Sequence, residues 1–69
     1  MRLYGERMKY LRVRAKITQE ELSDALCISR TAVAGYEGNK WCPSADVIVA
    51  YAKFFGVSAD WILGLGVVL

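Results

Sequence analysis

TQEELSDALCISRTAVAGYEGNK, Thr18 to Lys40, holds two helix starts and two helix stops in one short run. Thr18 followed three residues later by Glu21 is a capping box. The hydroxyl accepts from a first-turn N–H, and the carboxylate reaches back to the cap. The helix it opens should carry Leu22, Ala25 and Leu26 inward and end near Leu26. Ser29, another favoured N-cap, then opens a second helix with Val33 and Tyr36 inward. Gly38-Asn39 closes it, because both residues tolerate the left-handed conformation. Two capped helices joined by so short a turn cannot lie antiparallel and must cross steeply. Leu22, Leu26, Ile28, Val33 and Tyr36 supply apolar contacts for that crossing, and Ser23 and Ala25 offer the small residue at closest approach.

Outward from this pair, the signals remain helical. Leu3, Met8, Leu11 and Ala15 fall at helical spacing, with Arg7, Lys9, Arg12 and Arg14 between them, which predicts a first helix over 3–15. Pro43-Ser44 starts a fourth helix with Ile48, Ala52 and Phe55 at core spacing, stopped by Gly56. Ser58 caps a fifth, from Ala59 to about Leu63, presenting Trp61 and Ile62 and ended by Gly64. The β-branched runs are short and do not alternate, so the predicted fold is all-α, with five short helices.

Composition narrows the class. The 69 residues are 55% hydrophobic, which excludes disorder and makes one small domain over 1–69, with its core at about 3–65 and an apolar tail at 66–69. The longest apolar stretch, Trp61 to Leu69, is half of what a bilayer span of about 20 residues requires, and the N-terminus lacks a signal peptide's apolar core. A cytoplasmic protein without a membrane partner is the expectation. Cys27 and Cys42 are too few for a disulfide scaffold; they read as buried small hydrophobes or inert thiols. The chain has no histidine, so neither a tetrahedral zinc site nor a thiol activated by imidazole is in prospect. Glu20, Glu21 and Asp24 read as a solvated acidic face. Nothing points to an enzyme, a cofactor or a small-molecule substrate. Net charge is +2, yet residues 1–40 hold eight of the nine Lys/Arg and five of the seven acids. That asymmetry is a weak pointer to an anionic partner.

Steeply crossed helices joined by a tight turn form the helix-turn-helix arrangement. With GERMKYLR, ITQEEL, ISRTAV, YEGNK, PSADVIVAYAKFFGVS and ADWILG in order, the chain from Gly5 to Leu65 resembles the lambda-repressor-like (Cro/cI or XRE) helix-turn-helix proteins. The resemblance implies a five-helix DNA-binding domain whose third helix enters the major groove. By the same resemblance, Gln19 holds a phosphate, Ser29, Arg30, Thr31, Ala34 and Gly35 fall on the DNA-facing segment, and Asn39 and Lys40 follow in a backbone-contacting loop. Arg12 and Glu37 match an ion pair that ties helix one to the end of helix three in some members. Cys27, Lys16 and Asn39 stand where the family commonly has glycine, and Ser23 where it has alanine. A left-handed cysteine in the turn costs about 1 kcal/mol.

Gly35 is unusual inside a helix, where it costs about 1 kcal/mol against alanine. One reading is that it admits the backbone close to the bases while Ala34 touches a thymine methyl; the other is that Ala32 and Gly35 face a neighbouring helix. Arg30 and Thr31 suit either a base or a phosphate. On the fourth helix, Val47, Ala50, Tyr51 and Phe54 form a face displaced from Ile48, Ala52 and Phe55, and Leu65, Val67, Val68 and Leu69 extend it. A homodimer surface is the expectation, matching two-fold operator half-sites. The function implied is a prokaryotic or phage transcription regulator, a repressor, that binds double-stranded palindromic operator DNA as a dimer. The alternative is a protein-interaction module with a degenerate helix-turn-helix, such as an antitoxin-like or co-regulator subunit. The chain is compatible with a complete small regulator or with part of a longer repressor.

Overall fold

A computed structural model describes residues 4–64. It contains five α-helices, α1 (Tyr4–Arg14), α2 (Gln19–Leu26), α3 (Arg30–Glu37), α4 (Ala45–Phe55) and α5 (Ala59–Leu63), and no strand among the described residues. This is the all-α architecture that the sequence predicts, with α1 ending at Arg14, one residue before the expected end.

Hydroxyl caps set four of the starts. Glu21 N–H donates to Thr18 Oγ1 at 3.0 Å, and Thr18 N–H donates to Glu21 Oε1 at 2.8 Å, so both halves of the capping box form. Ser29, Ser44 and Ser58 accept in the same way from Ala32, Val47 and Trp61. The start of α1 is held from a distance instead. Gly5 N–H donates 3.2 Å to Oδ1 of Asn39, in the loop after α3. A Cβ at Gly5 would lie 2.6 Å from the Tyr36 carbonyl oxygen, so glycine is what lets α1 approach the end of α3 this closely.

The core takes residues from every helix: Met8 and Leu11, Leu22, Val33, Ile48 and Tyr51, and Ile62. Around it α3 packs on α1 and α2, while α5 packs on α1 and α4. Ser23 is buried in α2, but Ala25 and Ala15 are exposed and take no part in the core. Leu3 lies outside the described residues.

Stops divide into two kinds. Gly56 and Gly64 end α4 and α5 with φ of 70° and 75°, the left-handed cap that glycine enters without strain. Lys16, Cys27 and Asn39 adopt φ of 61°, 58° and 59° without being glycine. After α3 the left-handed residue is Asn39 alone, since Gly38 has φ −88°. Each such position costs an L-residue about 1–2 kcal/mol, offset by the turn hydrogen bonds that it completes. At Cys27 these run onward to Ile28 N–H, which donates 3.0 Å to the Ser23 carbonyl.

Two further expectations change. Tyr51 does not join an outer face: it is 0% exposed, because the core-facing line of α4 runs Ile48, Tyr51, Phe55 at spacings of three and four. Cys27 and Cys42 are both exposed free thiols and fill no core space. None of the described helices is long and apolar enough to cross a membrane.

Candidate nucleic-acid interface

Glu37, the last residue of α3, organises the region. Its side chain is only 4% exposed, and a buried carboxylate requires every lone pair to be answered. Arg12 supplies a two-pronged partner from α1, with Nε donating to Oε2 at 2.7 Å and Nη2 to Oε1 at 3.0 Å. Gln19 adds a third bond, its Nε2 donating to Oε1 at 3.2 Å. The remaining arm of Arg12 donates 2.9 Å from Nη1 to the Ile17 carbonyl, in the loop between α1 and α2. One carboxylate thereby ties α1, the start of α2 and the end of α3 together. The hydrogen bond to Glu37 holds the Arg12 guanidinium pKa above its ordinary value, against the opposing effect of burial.

That clamp fixes which side of α3 faces outward. Arg30, Thr31 and Ala34 are exposed along it, and Val33 is buried behind them. Arg30 shares a shallow groove with Arg12, Lys16 and Gln19, at the place where the first turn of α2 presents its N-terminus. Thr31 and Ala34 line a second groove with Lys40 and Trp41. Ser29, at the head of α3, is exposed while its oxygen accepts the Ala32 N–H. Cations, hydroxyls and helix N–H groups on one side can hold a polyanion.

Three residues sit differently from the sequence expectation. Gln19 is half-buried and spends its amide on Glu37 rather than pointing it free. Asn39 turns its carboxamide oxygen toward Gly5 of α1, so it splices α1 to the loop. Gly35 is buried, and the nearest side chain over it is the indole of Trp41. A Cβ placed at Gly35 would come within 2.7 Å of Trp41 Cδ2 and 3.0 Å of Cγ and Cε3. The loop brings the ring there, since Lys40 and Trp41 N–H both donate to the Gly35 carbonyl, at 2.9 and 3.2 Å. Sequence reasoning missed Trp41. Helical periodicity stops at Glu37 and assigns no direction to a side chain beyond the turn.

A family model described as helix-turn-helix matches residues 8–62 of this geometry. The chain belongs to the helix-turn-helix family. Across 94% of this chain and 98% of the other, the domain is similar to the P22 c2 repressor protein solved in complex with a synthetic operator, with TM-score 0.86 and 28% identity. It is 36% identical over 63 residues to the HTH-type transcriptional regulator YobD of Bacillus subtilis, covering 91% of this chain and 56% of that protein. It is 35% identical over 60 residues to the HTH-type transcriptional activator BcrR of Enterococcus faecalis, covering 87% of this chain and 29% of that protein. The helix-turn-helix domain therefore spans about half of one relative and under a third of the other.

The apolar face of α4 is narrower than expected. Val47 packs partly against the core, Ala50 is half-buried, and Phe54 is 48% exposed. Val49 and Leu63 are also exposed and were not foreseen. Leu65, Val67, Val68 and Leu69 lie outside the described residues.

Proposed function

We propose that this chain is a sequence-specific, double-stranded-DNA-binding transcription regulator of the cytoplasm, acting as a repressor where its site overlaps a promoter. It needs no cofactor, and its role is binding rather than catalysis. The observation that carries the reading is the outward face of α3, where Arg30, Thr31 and Ala34 stand exposed beside Lys16 and Lys40. In this reading α3 lies in the major groove. Lys16, Lys40 and the first turn of α2 meet phosphates, with Gln19 leaving Glu37 or sharing its amide. Arg30 takes a guanine edge or a phosphate, Thr31 either, and Ser29 a phosphate through its hydroxyl proton. Gly35 and Asn39 act through the positions of Trp41 and α1.

The protein works as a homodimer on a palindromic site in this proposal. The exposed Phe54, Val49 and Leu63, with the half-buried Ala50, are the apolar residues that a second copy would cover. Half-sites then lie roughly 34 Å apart, one turn of the duplex.

Fluorescence anisotropy with a labelled random-sequence duplex at low salt tests the reading. Binding that weakens steeply as salt rises is expected, with Lys40→Ala lowering the salt slope by about 1. Selection from a randomised duplex pool then defines the preferred site, and Arg30→Ala should lose about 1–3 kcal/mol and relax one position if Arg30 reads a base. No binding at low salt would refute DNA recognition and favour the protein-interaction alternative.

A further inference from the structure

On the same side as the proposed DNA face, one aromatic residue has no role in folding the core. Trp41 is 46% exposed and stands at the rim of α3. Its ring is nevertheless placed firmly: one face lies on the bare Cα of Gly35, and its edge meets Tyr36 at 6.4 Å between centroids and 74° between planes. Two backbone hydrogen bonds to the Gly35 carbonyl fix the loop that carries it. A half-exposed indole held so deliberately leaves apolar surface in water, which is costly unless something covers it.

The space beside the ring has a definite chemistry. Thr31, Ala34, Gly35, Lys40 and Trp41 line a groove of about 240 Å3. That is below the ~300–1,000 Å3 of drug-sized ligand pockets and ample for a single methyl-bearing edge. Its lining is a threonine, an alanine, a glycine and an aromatic ring, with one cation, Lys40. The major groove of DNA presents one apolar group, the 5-methyl of thymine. A methyl-bearing edge on a polyanion fits both the walls and the cation.

We propose that Trp41, seated on Gly35, is a specificity-determining residue that closes this groove over a thymine 5-methyl group. The proposal rests on the DNA-binding reading and assigns part of its sequence preference to an apolar contact rather than to hydrogen bonds. Lys40 pairs with the neighbouring phosphate. Gly35 takes no direct part; its missing side chain lets the indole lie low enough to form the wall.

The test uses the preferred duplex selected by the wild-type chain. Each thymine is replaced in turn by deoxyuridine, which keeps pairing and removes only the methyl. One position in each half-site should weaken wild-type binding by about fourfold, the loss that burying one methyl-sized group predicts. Trp41→Ala should bind thymine and deoxyuridine duplexes alike at that position. Lys40→Ala should bind more weakly overall and keep the fourfold ratio. Gly35→Ala, which leaves the indole present but lifted, should reduce the ratio without removing an aromatic residue. Helical content by circular dichroism verifies that each variant is folded. Two results overturn the proposal while DNA binding stands: wild-type binding insensitive to every methyl, or a ratio that survives in Trp41→Ala. A wild-type chain that binds no duplex at low salt overturns the regulator reading and this inference with it.

Discussion

Replacing Gly35 by alanine tests the seat directly, because two effects of known size oppose each other. Alanine in a helix interior gains about 1 kcal/mol over glycine. No strained backbone angle offsets that gain, since Gly35 is not among the positive-φ residues. The new methyl would meet Trp41 Cδ2 at 2.7 Å. Carbon–carbon contacts are comfortable near 3.5–4.0 Å, so the ring must retreat by roughly 1 Å. With 46% of Trp41 exposed, about half of its surface is covered. Taking an indole surface of up to ~250 Å2, that cover is worth about 3 kcal/mol at ~25 cal/mol per Å2. A retreat of ~1 Å forfeits a quarter to a half of it, about 1–1.5 kcal/mol. Gly35→Ala alone should therefore be neutral or slightly destabilising. In a Trp41→Ala background, the same change should stabilise by about 1 kcal/mol, or a Tm rise of ~4–8 °C for a domain of this size. The coupling of about 1–1.5 kcal/mol exceeds the ~0.3–0.5 kcal/mol scatter of independent sites, and urea denaturation of the four proteins measures it. If Gly35→Ala stabilises by ~1 kcal/mol in both backgrounds, the indole does not explain the glycine.

Other perturbations have equally definite outcomes. Glu37→Ala strands the Arg12 guanidinium in a largely buried site and should cost about 3–5 kcal/mol by urea midpoint; a loss under ~1 kcal/mol would mean the pair behaves like an exposed one. Cys27→Gly relieves a left-handed residue worth about 1–2 kcal/mol while adding ~0.4–1 kcal/mol of unfolded-chain freedom, so thermal melts should shift upward by a few degrees. Tyr51 carries a buried hydroxyl with no partner among the described residues, and burial, with the nearby Glu37 charge, raises its pKa above the ordinary tyrosine value of 10.0. The stability linked to that shift is complete below pH 10 and declines as the unfolded chain ionises above it. Tyr51→Phe should be neutral or stabilising at pH 7 and should flatten the loss of stability between neutral pH and pH 11. An unchanged alkaline profile would remove Tyr51 as its cause.

Much of the fold was legible because the deciding signals are local. Thr18 with Glu21, and Ser29, Ser44 and Ser58, set helix starts through bonds spanning three residues, so the residues that form them are neighbours in sequence. The stops at Gly56 and Gly64 are equally local, being a matter of which residues enter the left-handed region. The resemblance also pointed to Cys27, Lys16 and Asn39 as occupants of glycine-like positions, and all three have positive φ. The crossed pair α2–α3 follows from these caps and the short turn, whereas the outward line Arg30, Thr31 and Ala34 came with the family resemblance, which also placed the buried Gly35 on it.

What the chain decided only on folding involves partners distant in sequence. The core line of α4 depends on which of two overlapping apolar stripes meets the other helices, and packing chose Tyr51 over Ala52 for full burial. Asn39 could not be assigned to α1 from sequence, since its bond to Gly5 crosses most of the first three helices. Gly35 carried its own message, a penalty in search of a reason, but the reason is a tryptophan beyond the end of the helix. Periodicity relates residues that share one element; it has no period across a turn. Sequence thus determined where the helices begin, end and cross, and tertiary structure determined which side chains the crossing buries, ties or leaves standing in the open.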